Sequence, residues 1–311
     1  MTRRNRTWLV VIVALVLVVC CGGATLFGLL ALRSATTRAA GPGGMGRTVA
    51  VIPVHGVITS GRGGGFAADT IAYADRVVAD IEAAEADPRI RAIVLEVNSP
   101  GGSVAASAQI YRALREVTKP TVTSMGEVAA SGGYYIACAA DRIYANPGSI
   151  TGSIGVIAEW YNYGDLLRWA KMQDVVIKSG EFKDAGSPTR PLTEAERAYF
   201  QALIDTMYGQ FVSAVASGRG MKEEVVRNLA DGRVYTGEQA KKDGLVDELG
   251  GLEDAIAAAA EMGGVTGKPG IVEPAKKSFS ILELLLGDSS SALSLNRDRS
   301  GSHIRFEYLW R

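Results

Sequence analysis

Residues 91–137 read RAIVLEVNSPGGSVAASAQIYRALREVTKPTVTSMGEVAASGGYYIA, and this stretch decides the fold. It holds two short apolar runs, RAIVLEVN and PTVTSMGE, and each runs into a glycine-rich turn followed by a segment with helical spacing of apolar residues. A strand, a helix and a second strand in this order are typical of a parallel sheet with crossover helices. The sequence therefore predicts an α/β domain.

The same alternation extends in both directions from this stretch. Upstream, TVAVIPVHGVI predicts a strand and DTIAYADRVVADIEAAEA predicts a helix. Downstream, short strands are predicted for DRIYANP, GSITGSIGVI and DVVIKSG, with a helix at DLLRWAKM. A long helix is predicted to begin after Thr193, which forms a capping box with Glu196, and to reach about Val215. Further elements are expected at KEEVVRNLA, TGEQAKKDG and LEDAIAAAAEMG as helices and at IRFEYLWR as a terminal strand.

Composition excludes several classes of function. With 311 residues and 47% hydrophobic content, the chain can bury a substantial core. Lys and Arg equal Asp and Glu at 33 each, and no basic run with interleaved aromatic residues is present, so no nucleic-acid partner is expected. Two distant histidines, His55 and His303, with Cys138 do not supply a zinc site. The glycine-rich stretches lack the spacing of a phosphate loop, so we expect neither a metal nor a cofactor.

The amino-terminal segment predicts a membrane anchor. Residues 8–32 carry no charge and, at about 1.5 Å per residue, exceed the roughly 30 Å hydrocarbon core of a bilayer. A cleaved signal peptide is the alternative, but its apolar region is typically about 7–15 residues long. We therefore expect a single-pass anchor at 1–33 with the body outside the cytoplasm, a flexible linker at 34–47, a folded domain at 48–270 and a tail at 271–311.

Two glycine-rich turns carry the candidate chemistry. Ser131 stands among small residues at the start of a predicted helix, which is how a nucleophile is presented. NSPGGS, residues 98–103, follows a strand, and its turn would leave amide N–H groups free to bind an oxyanion, although an ordinary tight turn is the alternative. Consecutive parallel strands open their turns at one sheet edge, so the two turns are expected to meet. His55 is expected to be a structural or surface residue and Cys138 a core residue.

Four ordered motifs identify a family resemblance: NSPGGS, MGEVAASGGYYIACAAD, SITGSIGV and IKSGEFKDAGSPTRPLTEAE. They resemble the signal peptide peptidase A (SppA) family of membrane-bound serine peptidases, and the likeness covers about residues 48–260. The fold of that family is related to Clp protease and the crotonase superfamily. The resemblance implies a repeated β-β-α spiral domain behind the membrane helix.

The resemblance also implies a role for each site residue. Ser131 would be the nucleophile and Lys183, in the motif SG-x-x-K-D, its base, while Ser153 would orient the amine. The Gly102 and Gly132 N–H groups would bind the oxyanion. A lysine acts as a base only when it is neutral, so its ammonium must be desolvated near the serine. From spacing alone, Lys178 is nearly as plausible as Lys183.

The same resemblance implies partners and leaves two alternatives. The expected substrates are remnant signal peptides and other extended hydrophobic peptides that add to a strand edge, and the expected assembly is a ring-shaped homo-oligomer with shared active sites. Tyr134 and Tyr135 are expected to wall the site. One alternative is a related membrane peptidase with a single dedicated protein substrate, such as a stomatin-like partner. The other is a catalytically silent scaffold with the same fold.

Overall fold

The computed structural model describes residues 48–61, 70–274 and 305–309, and of Arg305 and Phe306 it describes the backbone alone. These residues form thirteen strands and eight α-helices. The anchor and linker predicted for residues 1–47 lie outside the described residues, as do Asp69 and most of the predicted tail. Within the described ranges, none of the helices combines the length and the apolar character that a bilayer crossing requires.

The strands are β1 (Thr48–His55), β2 (Val57–Thr59), β3 (Ile71–Tyr73), β4 (Ile90–Ser99), β5 (Gly101–Ser103), β6 (Thr121–Ala130), β7 (Arg142–Ala145), β8 (Ile150–Gly152), β9 (Ile157–Glu159), β10 (Val234–Thr236), β11 (Glu248–Leu249), β12 (Gly270–Val272) and β13 (Arg305–Leu309). The helices are α1 (Ala74–Ala86), α2 (Val104–Arg115), α3 (Gly132–Ala137), α4 (Gly164–Trp169), α5 (Glu194–Arg219), α6 (Glu223–Leu229), α7 (Gly237–Lys242) and α8 (Leu252–Met262). A 3-10 turn covers Glu181–Asp184.

The strands make two sheets. The first runs β10-β8-β6-β4-β1-β12, with β7 paired to β6 and β11 to β7, and only the β10–β8 pair is antiparallel. The second runs β3-β2-β5-β13-β9, where β13 is antiparallel to both of its neighbours. The α/β class with a parallel sheet, as predicted from residues 91–137, is thereby confirmed.

A repeated unit positions the site. A long strand in the first sheet is followed by short pairing in the second sheet and then by a helix, first as β1, β2, β3 and α1 and again as β4, β5 and α2. The prediction of one continuous strand at TVAVIPVHGVI is wrong, because the chain turns at Gly56 (φ 79°) to change sheets. A side chain there would clash, since a Cβ atom would lie 2.0 Å from the Thr70 carbonyl oxygen.

Two other boundaries differ from the predictions. The helix predicted from Asp69 begins only at Ala74, because residues 71–73 pair with β2 as a strand. The strand predicted at DVVIKSG is absent: residues 172–178 have no regular structure, and Ile177 is 98% exposed. Its β-branched composition suits a strand, but none of the described strands pairs with it.

The core lies on both faces of the first sheet. On one face, alternate residues of β1 and β4 such as Ile52 and Leu95 pack under α1, α2, α3 and α5. On the opposite face, Val51 and Val94 pack against α8. Helix α5 begins with the predicted capping box, in which Thr193 and Glu196 satisfy each other's backbone amides.

Candidate active site

Ser131 occupies a strained turn between β6 and α3. Its backbone has φ 53° and ψ −116°, a conformation that costs a residue other than glycine roughly 1–3 kcal/mol. Two hydrogen bonds of 2.8 Å hold it there: its amide donates to the Gly152 carbonyl and its own carbonyl accepts from the Tyr135 amide. The side-chain hydroxyl makes no hydrogen bond with any residue that the structure describes. Strain of this kind is typical of reactive residues.

The turn after β4 lies directly against the start of α3. A Cβ atom on Gly132 would lie 2.6 Å from Ser107 Oγ and 3.2 Å from the Gly102 amide nitrogen. Gly101 and Gly102 themselves have φ values of 100° and 155°. The backbones of Gly102 and Gly132 are therefore neighbours beside Ser131, which is the arrangement that two oxyanion-binding amides require.

Ser153 reaches the same place from the neighbouring strand. Ala130 pairs with Gly152 in the β6–β8 ladder, so Ser153 directly follows the residue whose carbonyl accepts the Ser131 amide. Ser153 is itself buried, and its φ of 50° is held by a hydrogen bond of 2.8 Å from its amide to the Arg233 carbonyl. Among the described residues other than glycine, positive φ occurs only at Ser131, Ser153 and Lys171.

Lys183 is not joined to this cluster within one chain. It lies on the exposed 3-10 turn Glu181–Asp184, and its ammonium makes no hydrogen bond or ion pair within the described ranges. The structure therefore brings together Ser131, Gly132, Gly102 and Ser153, while no hydrogen bond connects Lys183 with any of them.

The segment that carries Lys183 is tied to the start of α5 by ion pairs. Lys178 lies 2.6 Å from Asp184, and Arg190 bridges Asp184 at 3.1 Å and Glu196 at 2.5 Å. The hydrogen bond from Lys178 is the main reason that the pKa of Asp184 is lowered. The hydrogen bonds from Arg190 are the main reason that the pKa of Glu196 is lowered to about 2. Lys178 is therefore already paired within its own segment, whereas Lys183 is not. The spacing of residues in the sequence could not distinguish these two lysines.

The segment at residues 161–177, which precedes the 3-10 turn of Lys183, carries many exposed apolar side chains, and the sequence motifs did not indicate it. Residues at least 60% exposed in this exposed apolar segment are Tyr161, Leu166, Trp169, Met172, Val175 and Ile177. So many exposed apolar side chains in one segment are typical of an interaction surface.

The other residues that the sequence analysis singled out lie outside the cluster around Ser131 or belong to the core. Tyr134 is fully buried and donates a hydrogen bond of 2.9 Å to the Leu245 carbonyl, so it belongs to the core and does not wall the site. Cys138 is also buried, as expected, and burial raises the pKa of its thiol to about 12. His55 is half-buried, and its Nε2 lies 3.5 Å from a Glu96 carboxylate oxygen. Tyr135 contacts the last described strand: its ring centroid lies 5.2 Å from that of Tyr308.

Strand β13 lies against the predicted oxyanion turn. It pairs with β5 so that Tyr308 is opposite Gly102 and Leu309 is opposite Gly101. The composition of IRFEYLWR predicted the strand, but nothing in the sequence indicated its partner.

Comparison with known proteins points to proteases. Residues 113–266 match the model of peptidase family S49, and residues 48–173 match the amino-terminal domain of NfeD1b. A candidate protease from Synechocystis sp. is 47% identical over 176 residues, which cover 56% of this chain and 64% of the relative. A candidate signal peptide peptidase SppA from Enterococcus faecium is 37% identical over 69% of this chain and 63% of its own length. The chloroplastic serine protease SPPA from Arabidopsis thaliana is 31% identical over 81% of this chain and 38% of its own length. The chain therefore spans less than two thirds of the length of these relatives.

Proposed function

Because the chain belongs to the SppA family of S49 peptidases, we propose that it is a serine endopeptidase with Ser131 as its nucleophile. The observation that carries the proposal is the strained Ser131 backbone, held beside the adjacent backbones of Gly102 and Gly132. The strained backbone of Ser131 and the close packing of Gly102 on Gly132 both lower the stability of the fold. A reactive turn at this place gives a physical reason for both features.

The proposed reaction follows acyl transfer with a lysine base. The neutral amine of Lys183 takes the proton from Ser131 Oγ as that oxygen attacks the scissile carbonyl. The oxyanion is bound by the amides of Gly102 and Gly132. The resulting ammonium returns a proton to the leaving amine, so that an acyl ester remains on Ser131. Water activated by the same amine then hydrolyses the ester and restores the enzyme. Ser153 orients the amine.

Lys183 is proposed to reach Ser131 from a neighbouring subunit of a ring-shaped homo-oligomer. Its exposure and the lack of any bond to the Ser131 cluster within the described chain support a site completed in trans. The exposed apolar segment before it, with Ile177 and Trp169 as its most exposed members, supports the same arrangement because a second copy would bury these side chains. Burial would also strip water from the ammonium and favour the neutral amine.

The proposed substrates are extended hydrophobic peptides, including remnant signal peptides, which the enzyme would bind at the membrane surface. The uncharged run at residues 8–32 supports an anchor that would hold the domain there, outside the cytoplasm. Such peptides bind as an added strand, and main-chain pairing gives affinity without demanding a particular sequence.

A dedicated protein substrate is the second candidate. Residues 48–173, which include both glycine-rich turns, match the NfeD1b amino-terminal domain, so the site region resembles a second group of proteins besides peptidase family S49. A cleavage profile on a peptide library separates the two: broad cleavage of apolar peptides supports the first candidate, and cleavage confined to one motif supports the second.

Labelling with a fluorophosphonate probe tests the proposed nucleophile. The wild-type chain should become covalently labelled and the Ser131→Ala variant should not. Ser213→Ala, which removes an exposed hydroxyl on α5, serves as the matched control and should label like wild type. Labelling of the Ser131→Ala variant at the wild-type rate would exclude Ser131, and absence of labelling in every variant would favour the silent scaffold.

A further inference from the structure

The 3-10 turn that carries Lys183 is held at both of its ends by another lysine. The Lys178 ammonium donates a hydrogen bond of 2.8 Å to the Glu181 carbonyl and one of 2.6 Å to the Asp184 carboxylate. Glu181 and Asp184 are the first and last residues of the turn. Because 3-10 hydrogen bonds have poor geometry, side chains that connect the two ends decide how well so short a turn keeps its shape.

Arg190 connects the same turn to the start of α5 with its whole guanidinium. Its Nε donates to the Asp184 carboxylate at 3.4 Å, and its Nη2 donates to the Asp184 carbonyl at 3.2 Å. Its two Nη atoms also donate to the two carboxylate oxygens of Glu196 at 2.9 and 2.5 Å, and Nη1 donates to the Pro191 carbonyl at 3.2 Å. A guanidinium has five N–H groups, so these five hydrogen bonds use every donor of Arg190.

Glu196 gives Arg190 a fixed point on the helix. The Glu196 side chain is buried in the first turn of α5, and its carboxylate also accepts a hydrogen bond of 2.9 Å from the Thr193 amide. Both of its oxygens therefore have partners, and its position is set by the capping box. Asp184 is thus joined through one guanidinium to a carboxylate that cannot move without opening the start of α5.

A ring contact attaches the other side of the turn to the same helix. The ring centroid of Phe182 lies 5.3 Å from that of Tyr199, which follows Glu196 by three positions and so lies near it on α5. The two neighbours of Lys183 in the chain, Phe182 and Asp184, are therefore both connected to α5. The backbone of Lys183 is held between them, while its ammonium makes no hydrogen bond or ion pair within the described ranges.

We infer that Arg190 is a positioning residue for the proposed base, and that it acts through Asp184 by fixing the Lys183 turn on the start of α5. This inference rests on the proposed function, because it takes Lys183 as the base. A displacement of about 1 Å at a reacting group can lower a rate by roughly 10²-fold. The turn is exposed and has no core around it, so its hydrogen-bonded guanidinium supplies the rigidity that packing supplies elsewhere.

The rate at which a fluorophosphonate labels Ser131 tests the inference on the full-length protein solubilised in detergent. Arg190→Ala should lower this rate at least about ten-fold, and it should lower kcat for a peptide to the same extent while KM changes less than about three-fold. Arg197→Ala, which removes an exposed arginine from the first turns of α5, is the matched control and should label like wild type. Wild-type labelling and kcat in a folded Arg190→Ala protein would overturn the inference.

A double-mutant cycle separates positioning from a general structural role. Because Arg190 is inferred to act only through Lys183, adding Arg190→Ala to Lys183→Ala should change the remaining labelling rate by less than about three-fold. A further loss of ten-fold or more in the double variant would show that Arg190 supports the site independently of the lysine, and would overturn the inference.

A second variant keeps the test valid if Arg190→Ala folds poorly, since that change leaves the buried Glu196 carboxylate without its ion pair. Arg190→Ala combined with Glu196→Gln removes the unpaired charge and keeps a side-chain oxygen for the capping box. This variant should also label at least about ten-fold more slowly than wild type, and a wild-type rate would overturn the inference.

The labelling rate of Lys183→Ala distinguishes failure of the proposed function from failure of the inference. Wild-type labelling of Lys183→Ala would refute the lysine base of the proposed function and, with it, the role of Arg190. Slow labelling of Lys183→Ala beside wild-type labelling of the folded Arg190 variants would refute the inference alone.

Discussion

The backbone of Ser131 is held from both sides, by Gly152 through its amide and by Tyr135 through its carbonyl. The two bonds belong to different elements, β8 and α3, so the turn cannot relax unless one of them moves. A serine in this conformation is destabilising for the fold, whereas glycine would adopt it at little steric cost. The choice of serine is therefore explained by its hydroxyl.

Two substitutions of Ser131 separate the role of its hydroxyl in catalysis from the effect of its backbone strain on stability. Ser131→Ala and Ser131→Gly should both lose peptidase activity by roughly 10⁴-fold or more, because each removes the nucleophile. The free energy of unfolding of Ser131→Gly should be about 1 kcal/mol higher than that of Ser131→Ala, because glycine adopts a positive φ without steric strain. Peptide hydrolysis and urea unfolding of the purified variants check the two effects. Comparable turnover by either variant would remove Ser131 from the mechanism.

The packing of Gly132 on Ser107 gives a second prediction. Gly132→Ala should lower kcat by at least about 10²-fold, because the new Cβ would lie 2.6 Å from Ser107 Oγ and must displace an amide of the proposed oxyanion site. Ser107 Oγ is buried with no hydrogen-bond partner in the described structure, so Ser107→Ala alone should cost little stability.

A double-mutant cycle tests this contact. Adding Ser107→Ala to Gly132→Ala removes the clashing oxygen and should recover about 1 kcal/mol of the lost unfolding free energy. Strictly additive unfolding free energies would show that the two residues do not crowd each other.

At the scale of elements, the segment from α4 to α5 is organised by charge, with few buried apolar contacts. Val175 and Ile177 are exposed, while Asp184, Arg190 and Glu196 connect the 3-10 turn of Lys183 to the first turn of α5. Glu196 also completes the capping box with Thr193, so a single buried carboxylate serves both the helix start and the loop.

This arrangement predicts a dependence on acid. The pKa of Glu196 is lowered to about 2, mainly by Arg190, so its carboxylate stabilises the fold fully above the unfolded-state value of about 4.3. That contribution is lost as the pH falls from there towards 2. The stability advantage of wild type over Glu196→Gln should therefore be largest above about pH 5 and disappear near pH 2, as measured by urea unfolding across this range.

Glu194→Gln, an exposed carboxylate in the same helical turn, is the control and should show a much smaller dependence. A difference between wild type and Glu196→Gln that stays constant with pH would show that Arg190 does not lower the pKa of Glu196.

At the scale of the whole molecule, the proposed site residues of the described chain fall into two places, and the proposed lysine is exposed. Ser131, Gly102, Gly132 and Ser153 meet at one edge of the first sheet, while Lys183 lies on the 3-10 turn that follows the exposed apolar segment. A closed ring satisfies both features, because each subunit would cover a neighbour's apolar segment and receive its lysine.

Subunit mixing tests this assembly. Ser131→Ala and Lys183→Ala proteins should each be inactive, and an equal mixture after subunit exchange should regain roughly a quarter of wild-type activity, since that fraction of random interfaces pairs an intact serine with an intact lysine. Lys183→Arg should behave like Lys183→Ala, because a guanidinium does not give up its proton. No recovery after exchange verified by mass spectrometry would place both residues of the site in one chain.

Features with a short range along the chain were determined by the sequence alone. The capping box at Thr193, the strand-turn-helix order of residues 91–137 and the small-residue turn at Ser131 depend on neighbours within a few positions, so local composition sufficed to predict them. Family motifs added Lys183 and Ser153 as candidates, and their catalytic roles stay predictions.

Tertiary structure alone decided which strands exist and what they pair with. DVVIKSG has the composition of a strand but no partner among the described strands, whereas residues 71–73 read as helix and became a strand because β2 offers them an edge. The partner of β13 lies some two hundred positions away, at Gly101–Ser103. A strand is stable only when distant main-chain groups complete its hydrogen bonds, and no local pattern records where those groups will be.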